Sequence, residues 1–507
     1  MIANVLTLIV LLPLLGALVL GFVPRGGHKQ SRAIALIATL LPLILAGVLY
    51  SNFDSGSNAG MQYTESHEWI HIGHVFNDKT LVIGYDLGVD GLSMPFLLLT
   101  AIISFLGVLA SSKVEYRAKE YYIWYLILIT GLYGCFVALD LFLFFLFLEA
   151  TLVPMYFLIG IWGGDRKGKV AAKFLVYRGI ASVGILVAFV GMAFQAASVN
   201  DAISMNVMTI ADAFAKAPAN IITHSWKDLI FPVLLIAILI EEAFFPFHTW
   251  LPDTHEQAPS AISMIIGGVL MKIGAYVLFR VGVGVMPDMV KHYATIIAVI
   301  GVVNIIYAAL VALVQRDWRR LLAFSAISHM GVVLLGVAAM NQAGLQGAIF
   351  MTVSSGLLSA LLFFLIGAIK ERTGTANIPA LGGLSKPLPI LSGFLLAAAL
   401  GSLGLPGMSG FVSEIVAFMG AFAAFPVLAA LGTAGVILAA VYLLWAMQRT
   451  TYGPTSAQLE GLSDARAIEY VPMVVLTALI ILIGVYPSIL GDLVNHTVST
   501  YVARIGG

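Results

Sequence analysis

The stretch that decides the fold is residues 238–252, which read ILIEEAFFPFHTWLP. An apolar run ends in two adjacent carboxylates, Glu241 and Glu242, and a proline-bounded break precedes a second apolar run that carries Lys272. A charge at membrane depth costs about 2.5–3.5 kcal/mol on insertion scales, and irregular backbone survives there only where protein or a water-filled cavity surrounds it. We therefore expect residues 229–284 to form a helical hairpin that lines a polar path through a membrane.

The composition of the whole chain supports a membrane location. Of 507 residues, 60% are hydrophobic and 10% are charged, with no net formal charge and a mean hydropathy of +1.00. A soluble domain carries about 25% charged residues. The first apolar run, Ile2 to Val23, is too long for a signal-peptide core and has no charged region before it, so we expect a retained first span. The predicted class is an all-α integral membrane protein.

Residue usage argues against several classes of function. Cys135 is the only cysteine, so this chain cannot build an internal disulfide, a four-cysteine iron–sulfur centre or a structural zinc site of the usual kind. No glycine-rich phosphate loop follows a strand pattern, and the basic residues are scattered. Nucleotide and nucleic-acid binding therefore have no support, and we expect no cofactor on this chain.

Apolar runs long enough to span a bilayer predict about fourteen transmembrane helices. They lie at 2–22, 33–50, 91–111, 121–138, 141–163, 170–196, 228–247, 259–284, 293–315, 322–341, 344–369, 389–419, 425–448 and 470–491. Short loops rich in lysine and arginine alternate with loops that have fewer basic residues. The basic loops are 24–32, 112–120, 164–169, 316–320 and 370–388. The positive-inside rule places these loops in the cytoplasm, so both termini and the acidic loop 51–90 are expected outside. The short loop 248–258 carries Asp253 and Glu256, and we expect it to fold back into the bundle.

Two predicted helices share an interruption. Helix seven is broken around Pro246 and Pro252, and helix twelve is broken at residues 401–410, which read GSLGLPGMSG. Paired interruptions predict inverted repeats with an ion site near the breaks. We expect two five-helix repeats and four parts: helices one to three with the external loop (1–111), the first repeat (121–284), the second repeat (293–448), and helix fourteen with the tail (470–507).

Four ionisable residues within the predicted spans are candidate proton carriers. Glu149 lies in an aromatic-rich run, and Lys272 lies about thirteen residues, or roughly 20 Å, into helix eight. His329 is near the start of helix ten, and Glu414 follows the helix-twelve break by two turns. Ionisable groups inside a membrane are functional by default. The alternatives are a structural ion pair for the carboxylates, snorkelling for the lysine and a helix-packing hydrogen bond for the histidine.

A polar group beside the first break could be interpreted as a metal site. It consists of His248, Asp253, His255 and Glu256, and its spacing matches no zinc pattern. Helix capping and stabilisation of the break explain these residues more simply, so we expect no metal here.

Five motifs together resemble the antiporter-like subunit M family of respiratory complex I, the proton-pumping NADH:quinone oxidoreductase. They are GVDGLSMP at 88–95, LE at 148–149 followed by VPMYFLIGIWGG at 153–164, FPFHTWLPD at 245–253, SHMG at 328–331 and LPGMSGF at 405–411. The resemblance covers about residues 85 to 450. It implies a multi-pass subunit of a bacterial-type inner membrane that lies beside sister antiporter-like chains. NADH, FMN, iron–sulfur clusters and quinone would then belong to partner subunits.

The resemblance also implies roles for individual residues. Glu149 matches the family's helix-five glutamate, Lys272 its helix-eight lysine, Glu414 its helix-twelve proton exit, and Lys173 a helix-six lysine. A lysine at the position of Glu414 would instead suggest the sister chains or the multisubunit sodium–proton antiporters. A sodium–proton antiporter subunit and a structural subunit that no longer pumps remain the alternatives.

The chain departs from the family pattern in the middle of the first repeat. Glu241 occupies the position of the family's helix-seven lysine, and Arg178 lies where helix six tends to be uncharged. Helix rise places Arg178 about 12 Å and Glu241 about 9 Å from the same membrane face. We predict that Arg178 replaces the missing cation by pairing with Glu241 or Glu149, while Glu242 faces the adjoining cavity. A further departure places Ser355 where helix eleven often has a histidine, so we expect the central relay to depend more on water.

Overall fold

Helices dominate this chain because a bilayer requires every backbone polar group to be satisfied within the protein. The computed structural model describes residues 4–24, 26–56, 60–76, 78–218, 221–455, 459 and 461–506. The helices in chain order are α1 (Val5–Gly21), α2 (His28–Ser51), α3 (Ser93–Ala110), α4 (Ala118–Val137), α5 (Leu141–Trp162), α6 (Lys167–Ala196), α7 (Val207–Lys216), α8 (His224–Glu241), α9 (Trp250–Gln257), α10 (Ser260–Gly268), α11 (Ile273–Val277), α12 (Pro287–His292), α13 (Ala294–Leu313), α14 (Trp318–Ala338), α15 (Gln342–Thr373), α16 (Pro389–Ser402), α17 (Ser409–Ala424), α18 (Pro426–Thr451), α19 (Ala467–Val485) and α20 (Ser488–Gly506).

Helices lie at the positions of all the predicted spans. Eleven helices of the described chain are long and apolar enough to cross a membrane, and one of them, Ser260–Val283, comprises α10, α11 and the turns between and after them. Helix α1, helix α8 and the interrupted pair α16 and α17 occupy the remaining positions. Helix α9 lies in segment 248–258, which was predicted as a loop. Residues 2 and 3 of the first predicted span lie outside the described residues. The number fourteen and the inverted relation of the repeats stay predictions.

The all-α prediction needs one correction. Loop 51–90 contains an antiparallel hairpin of β1 (Gln62–Phe76) and β2 (Lys79–Val89), and β2 also pairs with the short β3 (Ile203–Ser204). Charged and histidine side chains interrupt the apolar alternation of this loop, which hid its strands. The ten-residue α7, the short α12 and the C-terminal α20 were also not predicted. They are too short or too polar to register as spans.

The bundle has two distinct ends. At the hairpin end, β1 and β2 contact the start of α1 and the α4–α5 junction through Leu6 N–Glu65 Oε1 (2.8 Å) and Leu139 N–Asp86 O (2.8 Å). Helix α20 lies at the same end, where the Arg504 side chain donates to the Gly284 carbonyl (3.1 Å). The opposite, basic end joins α1 to α4 through Lys119 Nζ–Gly21 O (2.6 Å). The described chain therefore begins and ends at the hairpin end.

Helix seven is interrupted in its middle. Helix α8 ends at Glu241, a short 3-10 turn follows at Phe247–Thr249, and α9 begins at Trp250. The Asn304 side chain accepts a hydrogen bond from the Phe245 N–H (2.8 Å), which satisfies one backbone donor that the break releases. The predicted break around Pro246 is confirmed, but that around Pro252 is wrong. Pro252 lies in the first turn of α9, where a missing N–H costs nothing.

Two further breaks lie in the spans that carry Lys272 and Glu414. Helix twelve stops at Ser402 and resumes at Ser409, with left-handed backbone at Gly404 (φ 81°) and Gly407 (φ 90°), so this predicted break is confirmed. Helix eight is also irregular, which the sequence did not predict. A 3-10 turn at Leu270–Lys272 separates α10 from α11, and a π-helical turn follows at 278–283.

Candidate functional site

Arg178 and Glu241 form a buried ion pair between α6 and α8. The guanidinium carbon of Arg178 also lies over the rings of Phe174 and Trp250, at 5.6 and 5.9 Å from their centroids. The aromatic rings keep water away from the pair, so the two charges interact through a low dielectric. Arg178 therefore pairs with Glu241. No ion pair joins Arg178 to Glu149 in the part of the chain that the structure describes.

Glu149 is half-buried on α5. Within the described residues, neither a hydrogen bond nor an ion pair holds its carboxylate, although its charge acts on Glu241. The Arg178–Glu241 pair therefore has a third ionisable neighbour. The Glu149 carboxylate is therefore the member of this group without a fixed partner in the described chain.

Glu242 is fully buried and points towards helix eight. Its Oε1 accepts a hydrogen bond from the Ala275 N–H (2.7 Å), at the start of α11. A Cβ atom at Gly274 would lie 2.6 Å from the Glu242 side chain, so only glycine permits this approach. The carboxylate of Glu242 therefore contacts the irregular part of helix eight through Oε1, and the cavity expected beside it stays a prediction.

Lys272 lies in that irregularity and is fully buried. Its Nζ donates to the Ser355 hydroxyl (2.9 Å) and contacts the Met330 sulfur at 3.4 Å. Ser355 in turn donates to the Thr352 carbonyl of its own helix α15 (3.2 Å). Ser355 is therefore a direct hydrogen-bond partner of Lys272.

His329 and Glu414 lie on either side of the helix-twelve break. The His329 Nε2 lies 3.2 Å from the Ser402 carbonyl at the end of α16, and the charge of Lys272 acts on the His329 ring. Glu414 is buried on α17, where its carboxylate lies so close to Gly404 that a Cβ there would come within 2.6 Å of Oε2. The break thus brings both ionisable groups to irregular backbone.

Tyr442 and Ser325 lie beside the ionisable groups of the second half, and they were not identified as candidate site residues from the sequence. Both side chains are buried, and the Tyr442 hydroxyl donates to the Ser325 hydroxyl (2.8 Å). The charge of Glu414 acts on Tyr442. Ser325 precedes His329 by one helical turn, so the pair lies on one face of α14. A tyrosine inside an apolar span was the available signal.

Lys173 does not lie in the buried row. Its Nζ donates to the Thr249 carbonyl and to Asp253 Oδ2, both at 2.8 Å, at the basic end of the bundle. Arg320 binds Asp253 (2.9 Å) and Glu256 (2.7 Å) from α14. These contacts hold segment 248–258 against the bundle, as expected for a loop that folds back.

The polar residues of segment 248–258 have protein partners or ring contacts. His248 Nε2 lies 3.1 Å from the Tyr307 hydroxyl, and His255 stacks on Phe363 with ring centroids 4.1 Å apart. Among the described residues, no group of three or more histidine, cysteine, aspartate and glutamate side chains is arranged to hold a metal ion.

A second buried ion pair, at the hairpin end, was also missed. Arg280 binds Asp90 through two hydrogen bonds of 2.7 Å, and its guanidinium donates to the Ser93 hydroxyl (2.9 Å). Burial alone would raise the pKa of Asp90, but Arg280 outweighs that effect and holds the pKa below its ordinary value. The pair joins the π-helical turn of helix eight to the start of α3. Asp90 lies in the 88–95 motif, which was the available signal.

The central groups form a linked row across both halves. Charge interactions join Glu149 to Glu241, Glu242 to Lys272, and Lys272 to His329. The remaining step to Glu414 crosses the helix-twelve break. Such a row of buried carboxylates, amine and imidazole can pass protons by changing charge one group at a time.

Known proteins are similar to this chain in sequence and in fold. Residues 138–441 match the family described as NADH:quinone oxidoreductase/Mrp antiporter, TM. The chain is 37% identical over 515 residues to NADH-quinone oxidoreductase subunit M of Rhodobacter capsulatus, covering 99% of this chain and 98% of that protein. It superposes with a TM-score of 0.86 and 27% identity on a chain of respiratory complex I from Thermus thermophilus with bound NADH, covering 99% and 100% of the two chains. A chain of the Mrp complex from Dietzia sp. DQ12-45-1b has a TM-score of 0.83 at 19% identity, with the same coverage, and shows a shared fold.

Proposed function

The chain belongs to the NADH:quinone oxidoreductase/Mrp antiporter family of membrane proteins, and from this premise we propose that it is a proton-translocating membrane-arm subunit of a complex I-type NADH:quinone oxidoreductase. The similarity to subunit M extends over almost the whole chain. Its partners would be the sister antiporter-like subunits, beside which it lies in the lipid bilayer. NADH, FMN, iron–sulfur clusters and quinone would be bound by other subunits, and this chain would handle only protons.

The observation that carries the proposal is the row of buried ionisable groups. A proton taken up at the basic end would reach the region of Glu149, move to Lys272 and His329, and leave through Glu414 towards the hairpin end. Each of the last three lies at or beside an interruption of a helix. Irregular backbone at membrane depth releases polar groups that can hold water, so the breaks are suited to proton transfer.

Arg178 has a fixed role in this mechanism. A guanidinium does not lose its proton in a protein, so Arg178 can neutralise Glu241 but cannot relay a proton. Glu149 lacks such a partner, and a change of charge in a neighbouring chain would alter its protonation. We therefore assign the trigger to Glu149, which would couple electron transfer elsewhere to proton movement here.

The orientation follows from the two ends of the bundle. The loops rich in lysine and arginine gather at the basic end, which we assign to the cytoplasm of a bacterial-type cell. Both termini and the β-hairpin would then lie outside. We also propose that the four parts at 1–111, 121–284, 293–448 and 470–507 are structural units, the middle two being inverted repeats.

One alternative is favoured by a specific observation. Glu241 is tied to an arginine that cannot exchange protons, so the chain could support the membrane arm without pumping. In that case the native complex would translocate fewer protons per electron than a complex in which every antiporter-like subunit pumps, and the difference would be the contribution of one subunit. The sodium–proton antiporter alternative has weaker support, because the Mrp likeness at 19% identity extends to the fold alone. Sodium-dependent transport would be its sign.

The experiment that tests the proposal is purification of the native assembly. The tagged chain is isolated from membranes in mild detergent, the co-purifying chains are identified, and the same fraction is assayed for NADH:quinone reduction. Recovery with flavin- and iron–sulfur-containing partners and with quinone reduction is expected. Recovery with membrane chains alone, without quinone reduction, would contradict the proposal and favour the antiporter alternative.

A further inference from the structure

The two adjacent carboxylates at the end of α8 have different environments. Consecutive residues of an α-helix point about 100° apart, because a turn contains 3.6 residues. Glu241 accordingly faces Arg178 on α6, whereas Glu242 faces the irregular start of α11. Both side chains are fully buried, so the difference between them is one of partner and not of solvent exposure.

Glu242 and Lys272 each have unused hydrogen-bonding capacity. Ala275 satisfies Glu242 Oε1, but Oε2 is buried and without a hydrogen-bond partner in the described chain. The ammonium of Lys272 has three donors and contacts Ser355 and Met330. Lys272 is the cation that acts most strongly on Glu242, and Glu242 is the acid that acts on Lys272, yet no direct hydrogen bond joins the described side chains.

A buried polar group without a partner is destabilising, and more so if it is charged. A single bridging water would satisfy both the free oxygen of Glu242 and the free donor of Lys272. A water in that position also provides a path for a proton from one side chain to the other.

We propose that Glu242 is the proton donor to Lys272, and that it takes over the step for which Glu241 is unsuited. The inference rests on the proposed function of the chain. In this step the O–H bond of the Glu242 carboxylic acid breaks, a proton passes along the bridging water, and an N–H bond forms on the neutral amine of Lys272. The products are a carboxylate and an ammonium, so the total charge is unchanged and no electrons are transferred.

The surroundings of Glu242 suit a group that changes its charge. The Ala275 N–H stabilises the carboxylate after donation, since a charge-assisted hydrogen bond is about twice as strong as a neutral one. The new ammonium of Lys272 stabilises the same carboxylate electrostatically. Glu241 instead has a fixed ion-pair partner, Arg178, which favours its carboxylate form and cannot itself relay a proton.

The test uses the assembled complex reconstituted in vesicles. Glu242→Gln keeps the acceptor for Ala275 but carries no exchangeable carboxyl proton, and Lys272→Met marks the effect of losing the central relay. We expect both variants to lower the proton-to-electron ratio by the same amount, and Glu242→Asp to recover part of it. Glu115→Gln, the same change at an exposed loop position, serves as the control and keeps the ratio.

The outcomes separate this inference from the proposed function. If Lys272→Met lowers the ratio while Glu242→Gln keeps the wild-type value, Glu242 is not the donor and the inference is overturned, although the proposed function stands. If Lys272→Met also keeps the wild-type ratio, the proposed function itself fails.

A second measurement avoids variants and their assembly. A hydrophobic carbodiimide reacts with protonated carboxyl groups, and the site of its adduct in the wild-type complex can be found by peptide mass spectrometry. We expect the adduct on Glu242, because the neutral acid is its donor state. An adduct on Glu241 with none on Glu242 would overturn the inference.

Discussion

Removing Arg178 should destabilise the chain strongly. In Arg178→Met the carboxylate of Glu241 stays buried without its cation, and loss of one partner of a buried pair costs about 3–5 kcal/mol. Both side chains are at most 2% exposed, so little of this cost is relieved by water. The guanidinium also loses its contacts with Phe174 and Trp250, each of which contributes up to about 2 kcal/mol when desolvated. We therefore expect the upper end of the range.

The double variant Arg178→Met/Glu241→Met supplies the matched comparison. It removes both charges, and replacement of a whole buried pair by apolar residues is often neutral or stabilising. The assay is the denaturant midpoint at which this chain is lost from the purified complex, measured for wild type, both single variants and the double variant. The cycle yields the coupling energy directly. A single variant as stable as wild type, or a double variant no better than Arg178→Met, would refute the pairing argument.

Three further outcomes are expected. Asp90→Asn removes the negative charge that pairs with Arg280 and should cost about 3–5 kcal/mol. On heating, the chain should then be lost from the complex at a lower temperature than in the wild type. Loss at the wild-type temperature would count against a stabilising pair. Ser355→Ala removes the hydroxyl that accepts a hydrogen bond from Lys272, and such a bond to a charged group contributes about 1.5–3 kcal/mol. The variant should slow proton transfer, measured by vesicle acidification. An unchanged rate would show that the hydroxyl is dispensable. Burial raises the pKa of Asp140 from 3.8 to about 6, although three backbone N–H groups donate to its carboxylate. The contribution of Asp140 to stability is therefore greatest below pH 4 and falls by about 3 kcal/mol as the pH rises from 4 to 6. Asp140→Asn should flatten this part of the pH profile of the denaturant midpoint, and an unaltered profile would disprove the assignment.

The spans were predictable because one physical requirement sets them. A chain that crosses a bilayer must bury its backbone polar groups in helices of about 20 apolar residues, and that pattern survives in a single sequence. The helix-seven and helix-twelve breaks were visible for a related reason, since a proline such as Pro246 interrupts a helix and the clustered glycines at 401–410, with Pro406, weaken one. The interruption at Lys272 follows Gly267 and Gly268, but glycines are frequent in membrane helices, so they did not predict a break. The turn of residues 270–272 is stabilised by tertiary contacts, which the sequence does not display.

The β-hairpin and the directions of the side chains were harder to predict from the sequence. Residues 62–76 and 79–89 pair as strands, but the charges of this loop indicated only an external segment. Similar depth in neighbouring helices predicted that Arg178 pairs with Glu241 or Glu149, and the structure shows Glu241. The contact of Glu242 with α11 depends on where α8 ends. One residue of helix more or less would turn that carboxylate by about 100°. Helix ends are the least predictable feature of a helix, and here they decide the chemistry.

The most direct test of the central claim is the proton-to-electron ratio of the purified complex in sealed vesicles, with wild-type chain and with Glu414→Gln. Electron transfer takes place in other subunits, so NADH:quinone reduction should persist in uncoupled vesicles. The account predicts that the ratio falls by the share of one subunit, because the last group of the buried row can no longer release a proton. An unchanged ratio in a fully assembled Glu414→Gln complex would contradict it.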